Sequence, residues 1–464
     1  MTRIHDLTVG ELTAEIATGA LSPTEVVGHY LERIDRLGTQ VGAFTEVTAD
    51  AALRRAAGDL PRGPLYGVPF GDKDLVARAG VPTRYGSRAF SDHIPVTSDP
   101  LAEALDAAGG ISLGKTTTPE FGLTGFTEPR VGPAARNPWD LATGAGGSSG
   151  GAAAAVSAGL LPWAPASDGG GSIRIPSATC AVVGLKPSRG RLPIGAGLDS
   201  YDALAVNGPI TRTVGDAALL LDVLAAIAPS HRSVVAPGTG PFADAARAEI
   251  TGLRLGMTLT TPWDHAMHIV LDPHARAAYD HAATVLAAAG ADVESADWQP
   301  TGYPELFGTL WRASAATLPL DEDALARVEP ITAWLVREGR DLDARRLVSA
   351  YAAARLFERR TIETFARYDA VLTPALALDP RPLGWYRTED AERTFAQQVE
   401  YAPHTSWVNV AGLPAITVPI LAGPSGRPWS VQLVGRPGGE RAILALAGRL
   451  EAERGALPRP PGFE

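Results

Sequence analysis

The strongest constraint on this chain is its texture between about residues 64 and 215. Short apolar runs there alternate with Gly-, Ser- and Pro-rich loops and with helix-length stretches. The runs are 66–70, 111–113, 173–176 and 182–185, each too short for a helix and rich in β-branched residues. Helical stretches intervene at about 99–108, 151–160 and 215–227. Strands alternating with helices point to an α/β layered fold. Strand patterns return far downstream at 370–372, 415–418 and 430–434, with a last helix over about 440–452. Distant parts of the chain are therefore expected to build one sheet, in a single domain over 1–464.

The flanks are helical. A helical pair is expected over 7–37, its second member opened by Ser22-Pro23-Thr24-Glu25. Ser22 suits the cap, Pro23 the first helical position, and Glu25 completes a capping box. Val26, Val27, Tyr30, Leu31 and Ile34 then form one apolar stripe. Residues 271–290 and 340–368 also read as helices, and 236–241 as an exposed loop.

Composition removes several classes of function. The net charge is -10, which argues against unassisted nucleic-acid binding. The single cysteine, Cys180, excludes an intrachain disulfide and a cysteine-rich zinc site. The apolar runs at 151–161 and 217–227 are about half the length of a membrane span, about 20 residues. With no secretory pattern at the start, a cytoplasmic protein with no membrane partner is expected.

Three motifs attract attention for the wrong reason. Gly109, Gly114, Lys115 and Thr116 fit the spacing of a phosphate loop. The intervening residues read as strand, however, and the following Thr117-Thr118-Pro119 is a poor helix interior. The segment 146–150 fits a nucleophile elbow, but the preceding 136–140 reads as a turn, and no histidine lies between His93 and His231. His265 and His268 beside Asp264 resemble metal ligands only loosely. No metal or cofactor is expected.

The informative segment is Ser167-Asp168-Gly169-Gly170-Gly171-Ser172. Consecutive glycines can turn successive N–H groups in one direction, a nest that holds an oxyanion. A serine directly after such a nest would sit beside the carbonyl it attacks, although a glycine-rich structural turn reads equally well. A free serine needs a base. Lysine is scarce enough to examine residue by residue: of 41 basic side chains only Lys73, Lys115 and Lys186 are lysines. Arginine can replace lysine on a surface, but it cannot release a proton at physiological pH. A lysine base must fall from about 10.4 to about 7, which takes roughly 4–5 kcal/mol of desolvation and neighbouring charge. Lys73 ends an apolar run and is the candidate, against the simpler reading of an ion pair with Asp72 or Asp74.

Together these segments resemble the amidase signature family of serine hydrolases. The likeness is carried by Gly67-Val68-Pro69-Phe70-Gly71-Asp72-Lys73-Asp74-Leu75, Gly-Gly-Ser-Ser-Gly-Gly at 146–151, 168–176 and Gly184-Leu185-Lys186-Pro187. The segments 409–416 and 432–437 add to it, and it is weakest over about 235–365. The resemblance implies a large mixed, twisted β-sheet with helices on both faces. It implies a signature core over about 64–215 holding the catalytic residues. It also implies a variable, mainly helical substrate side over about 235–365. It assigns Ser172 as nucleophile, Ser148 as a proton-relaying serine after a cis Gly147–Ser148 peptide, and Lys73 as base. The N–H groups of Gly169, Gly170, Gly171 and Ser172 would form the oxyanion hole. Thr124, Gly125 and Phe126 are candidate substrate contacts.

Ser167 and Gly169 stand where the family usually has Thr and Thr or Ile. Phe126 and Pro129 depart from the polar loop of the tRNA-dependent amidotransferase subunit, the competing reading. The Ser-Asp-Gly-Gly-Gly-Ser form looks more like hydrolases of aliphatic or cyclic amides, nylon-oligomer hydrolases among them. The expected partner is thus a small-molecule amide. Homodimers are frequent among such relatives, and Trp298, Trp311, Trp334, Trp385, Tyr386 and Trp407 are candidates for an apolar cleft.

Overall fold

A computed structural model describes residues 3–192, 204–227, 236–238, 240–386, 389–423 and 426–464. The expected exposed loop at 236–241 includes one position, 239, outside those residues. Among the described residues thirteen strands are numbered in chain order. The first three are β1 (Phe44–Val47), β2 (Pro69–Lys73) and β3 (Ile111–Thr116). They form a small sheet in the order β1-β3-β2, with β2 and β3 parallel. A two-stranded ribbon follows, β4 (Arg136–Asn137) and β5 (Asp140–Gly144). The sequence around 136–140 reads as a bare turn; the turn is present, but as the bend of this ribbon.

The main sheet is built from β6 (Trp163–Asp168), β7 (Val183–Lys186), β8 (Val206–Thr211), β9 (Arg254–Met257), β10 (Asp292–Ser295), β11 (Ala370–Pro374), β12 (Ala415–Ala422) and β13 (Pro428–Gly435). Their order is β10-β9-β11-β13-β12-β7-β8-β6. The pairs β10/β9 and β9/β11 are parallel and the remaining pairs antiparallel, so the sheet is mixed as expected. Strand periodicity sends alternate residues to opposite faces. Leu372, Val431 and Leu433 enter one core with Ala278 and Leu446, from helices Pro273–Ala288 and Glu440–Arg454. Their neighbours Val371 and Val434 enter a second core with Phe307, Phe357 and Trp407, from helices Tyr303–Ala316, Ala344–Phe365 and Ser406–Val410. Helices therefore cover both faces.

The N-terminal helices follow their caps. Thr8 with Glu11 and Ser22 with Glu25 form complete capping boxes for helices Val9–Thr18 and Pro23–Val41. Two segments differ from the sequence reading. Residues 173–176, expected as a strand, begin the helix Arg174–Thr179. The Asp168 carboxylate accepts the N–H groups of Gly171 (2.7 Å), Ile173 (3.1 Å) and Arg174 (3.4 Å), meeting donors that a helix start leaves open. Pro176 falls in that first turn, where an absent N–H is harmless. The helices Tyr303–Ala316, Pro330–Arg340 and Ala391–Tyr401 were not apparent from the sequence pattern.

Helix Gly150–Ser157 is buried at every residue. Its C-terminal carbonyls are met by two buried arginines. Arg33 donates to Ala158 O (3.0 Å), Gly159 O (2.9 Å) and Phe463 O (2.8 Å), and Arg459 donates to Val156 O (3.2 Å). Among the described residues no helix is long and apolar enough to cross a membrane. Arg33→Met keeps the aliphatic stem but strands three buried carbonyls. It is expected to lower unfolding free energy by about 2–4 kcal/mol in urea titration.

Candidate active site

The three lysines are all buried, each 2% exposed or less. Lys73 ends β2, where strand alternation turns it away from its acidic neighbours. Asp72 instead pairs with Arg78 (2.7 Å) and accepts from Ser112 Oγ (2.7 Å), and Asp74 pairs with Lys115 (3.6 Å). The ion-pair reading of Lys73 is thus excluded. Its Nζ donates to Ser148 Oγ (2.7 Å), Ser167 Oγ (3.1 Å) and Ser167 O (3.3 Å). Burial lowers its pKa to about 7, while the nearby Asp168 charge opposes that fall.

Ser148 follows a cis Gly147–Ser148 peptide just before helix Gly150–Ser157. Ser172 lies beyond the glycine triplet that ends β6. The backbone of Ser149 donates to Ser172 O (3.1 Å), which ties the two serine segments together. Ser148, Ser167, Gly169 and Ser172 face one cavity. The hydroxyls of Ser148 and Ser172 are not hydrogen-bonded to each other in this arrangement; such contacts often tighten only around substrate.

The glycine nest needs one correction. Gly171 N–H points at Asp168 Oδ1 (2.7 Å), so this amide is already occupied and is not available to an oxyanion. Gly171 has φ of +133°, and a Cβ there would lie 2.4 Å from Thr405 Oγ1, so only glycine fits. Gly169, Gly170 and Ser172 remain beside the cavity.

Asp168 anchors the loop. Arg174 holds its carboxylate bidentately, Nε to Oδ2 and Nη2 to Oδ1, both at 2.9 Å. Both side chains are fully buried, and the guanidinium holds the carboxylate far below the usual carboxylate range. Asn409 Nδ2 donates to Asp168 O (2.8 Å) and Oδ1 (2.9 Å). Arg174 Nη1 reaches Gln432 Oε1 in β13 (2.7 Å) and Thr405 O (2.9 Å). Sequence reasoning placed Asn409 and Gln432 in family-like segments without giving them a role. Their signal was an amide side chain inside otherwise apolar strand and helix patterns.

The other two lysines serve neighbouring elements. Lys115 Nζ donates to Thr83 Oγ1 (3.1 Å) and Val76 O beside its ion pair with Asp74. Lys186 Nζ donates to Pro187 O (2.9 Å), and burial together with the Arg174 charge lowers it to about 7. Phosphate-loop spacing at 109–116 coincides with strand β3, and the next element is a single 3-10 turn, Glu120–Gly122, not the α-helix that a phosphate loop opens.

Two lobes flank Ser172. Thr124 and Gly125 line the first; Phe126 is buried and stacked on Tyr386 (4.1 Å), outside both linings. Of the six aromatics proposed for a cleft, Trp311 alone lines it, and it faces both lobes. Trp298 and Trp407 are core. Trp334 packs beneath Arg312, and Trp385 lies edge-on to Tyr386. Trp263, Phe307, Phe395 and Gln398 line the cleft but were missed; the first two lie in the region that resembles the family least, the other two on helix Ala391–Tyr401, which the sequence pattern did not reveal.

Residues 25–444 match the Amidase family. The chain belongs to that family. It is a hydrolase of carbon–nitrogen amide bonds. The amidase is 37% identical over 462 residues to "Putative amidase AmiB2" of Mycobacterium tuberculosis, covering 96% of each chain. It is 34% identical to the "Acylamidase" of Rhodococcus erythropolis, covering 99% of this chain and 98% of that one. Its structure superposes on 6-aminohexanoate cyclic dimer hydrolase complexed with substrate at a TM-score of 0.90, with 28% identity and full coverage of both chains.

Lys73 should be retained at a cost in stability. Its native pKa of about 7 lies below the unfolded value, so between those pH values the unfolded chain binds a proton that the native amidase has released. The penalty is full below about pH 7 and fades as pH rises toward the unfolded value. Lys73→Met is therefore expected to unfold with about 1–3 kcal/mol more free energy than the parent at pH 7, after loss of the serine contacts. The gain should shrink toward pH 10 in denaturant titrations.

Proposed function

We propose that the amidase cleaves its substrate through an acyl-enzyme on Ser172, with Ser148 relaying the proton and Lys73 as general base. The observation that carries this reading is the 2.7 Å contact between Ser148 Oγ and a fully buried Lys73 amine. The neutral amine accepts the Ser148 proton as Ser148 takes the proton of Ser172, and Ser172 Oγ bonds to the amide carbonyl carbon. The N–H groups of Gly169, Gly170 and Ser172 receive the oxyanion. Collapse of the tetrahedral intermediate breaks the C–N bond, and the proton returns from Lys73 through Ser148 to the leaving nitrogen. Water then repeats the sequence on the acyl-Ser172 ester and releases the carboxylate.

A fluorophosphonate probe is expected to label the peptide containing Ser172; label on Ser148 or Ser149 would overturn the assignment. Ser172→Ala and Lys73→Ala should each lower kcat by about 10⁴ or more at neutral pH. Because Lys73 acts unprotonated, kcat/KM should rise with pH through an apparent pKa near 7.

A further inference from the structure

The two lobes beside Ser172 are lined differently. The first lobe is walled by Trp263, Phe307, Trp311, Phe395, Val399 and Ile175. Tyr303, Phe307 and Trp311 recur every fourth residue along helix Tyr303–Ala316 and stack in a rail, 5.6 Å apart at 14° and 5.4 Å apart at 18°. Phe307 lies against Gly170 and Trp311 against Gly169, each within about 3.5 Å of where a side chain would begin. The flat faces of the rail therefore run alongside the glycine nest.

The polar groups in this lobe are already committed. Gln398 Oε1 accepts Gly125 N–H (2.7 Å) and its Nε2 donates to Thr394 O (3.1 Å). Thr405 Oγ1 donates to Gly170 O (2.8 Å), Thr124 Oγ1 to Phe126 O (2.9 Å), and Ser406 Oγ accepts from Tyr303 (2.9 Å). Among the described residues no Asp, Glu, Lys, Arg or His lines either lobe. A charged substrate group here would be desolvated with no partner, which strongly disfavours its binding.

The lobes differ in their relation to the proton relay. Ser148 lines only the second lobe, with Ser167, Leu75, Leu204 and Ser314. The leaving nitrogen takes its proton from Ser148, so the amine must depart on that side, and the acyl group must occupy the aromatic lobe. On the acyl-Ser172 reading above, we infer that the preferred substrates are amides of uncharged aromatic carboxylic acids, the acid's ring lying against the Phe307–Trp311 rail. Phe395, which lines the acyl lobe alone and packs edge-on to Trp263 at 6.4 Å, is a specificity-determining residue for that ring.

Three matched amides test this on the full-length enzyme: phenylacetamide, acetanilide, and the para-carboxylate of phenylacetamide. Phenylacetamide should exceed both others in kcat/KM by at least 30-fold. Phe395→Ala should lower kcat/KM for phenylacetamide about 10-fold, mainly through KM, and Phe395→Tyr should restore most of it. Equal or faster turnover of acetanilide or of the carboxylate, with Ser172 still labelled by a fluorophosphonate, would overturn the acyl-side assignment and leave the acyl-serine mechanism standing. Failure of the probe to label Ser172 would overturn both.

Discussion

The site depends on one buried ion pair, Asp168 with Arg174. Two charges held this far from water are tolerable only when geometry and hydrogen bonds are nearly complete. Here the guanidinium grips both carboxylate oxygens, and its remaining donors reach Thr405 O, Gln432 and Asn409. The carboxylate in turn gathers the amides of Gly171, Ile173 and Arg174. One pair thereby ends strand β6, shapes the glycine turn, starts a helix and ties that turn to β13. Loss of either partner would leave an uncompensated buried charge, a change typically worth about 3–5 kcal/mol. Ser172 inherits its position from this arrangement.

The proposed base comes from elsewhere. Lys73 belongs to the small sheet, whereas the serines follow elements of the main sheet and the buried helix behind it. Ser167 of β6 bridges the two, since its hydroxyl and carbonyl both accept from the Lys73 amine. The same burial that lowers the pKa of the amine also lets it form short contacts without a carboxylate in hydrogen-bond reach. Asp72 and Asp74 are held by Arg78 and Lys115, so the local charges are balanced without engaging Lys73.

The α/β layering and the cap at Ser22 were legible in local pattern. The mixed sheet and the proposed role of Ser148 came only through the family resemblance, whereas Lys73 and Ser172 stood out as candidates by lysine scarcity and the glycine triplet. The pattern did not reveal that Gly171 N–H is turned inward, because that depends on where the Asp168 carboxylate points. Residues 173–176 misled for the same reason: Ile173 and Ile175 favour a strand until the Asp168 carboxylate organises the helix start. The aromatic rail was unreadable because Phe307 and Trp311 become neighbours of Gly169 and Gly170 only through packing. Nor could six similar aromatics be divided into core and cleft before the second core was assembled around Trp298 and Trp407.

The burial of all three lysines reaches beyond catalysis. With Lys73, Lys115 and Lys186 enclosed, the folded protein offers amine-reactive reagents no lysine side chain. Acylating dyes and lysine cross-linkers would thus act as reporters of opening and not of surface.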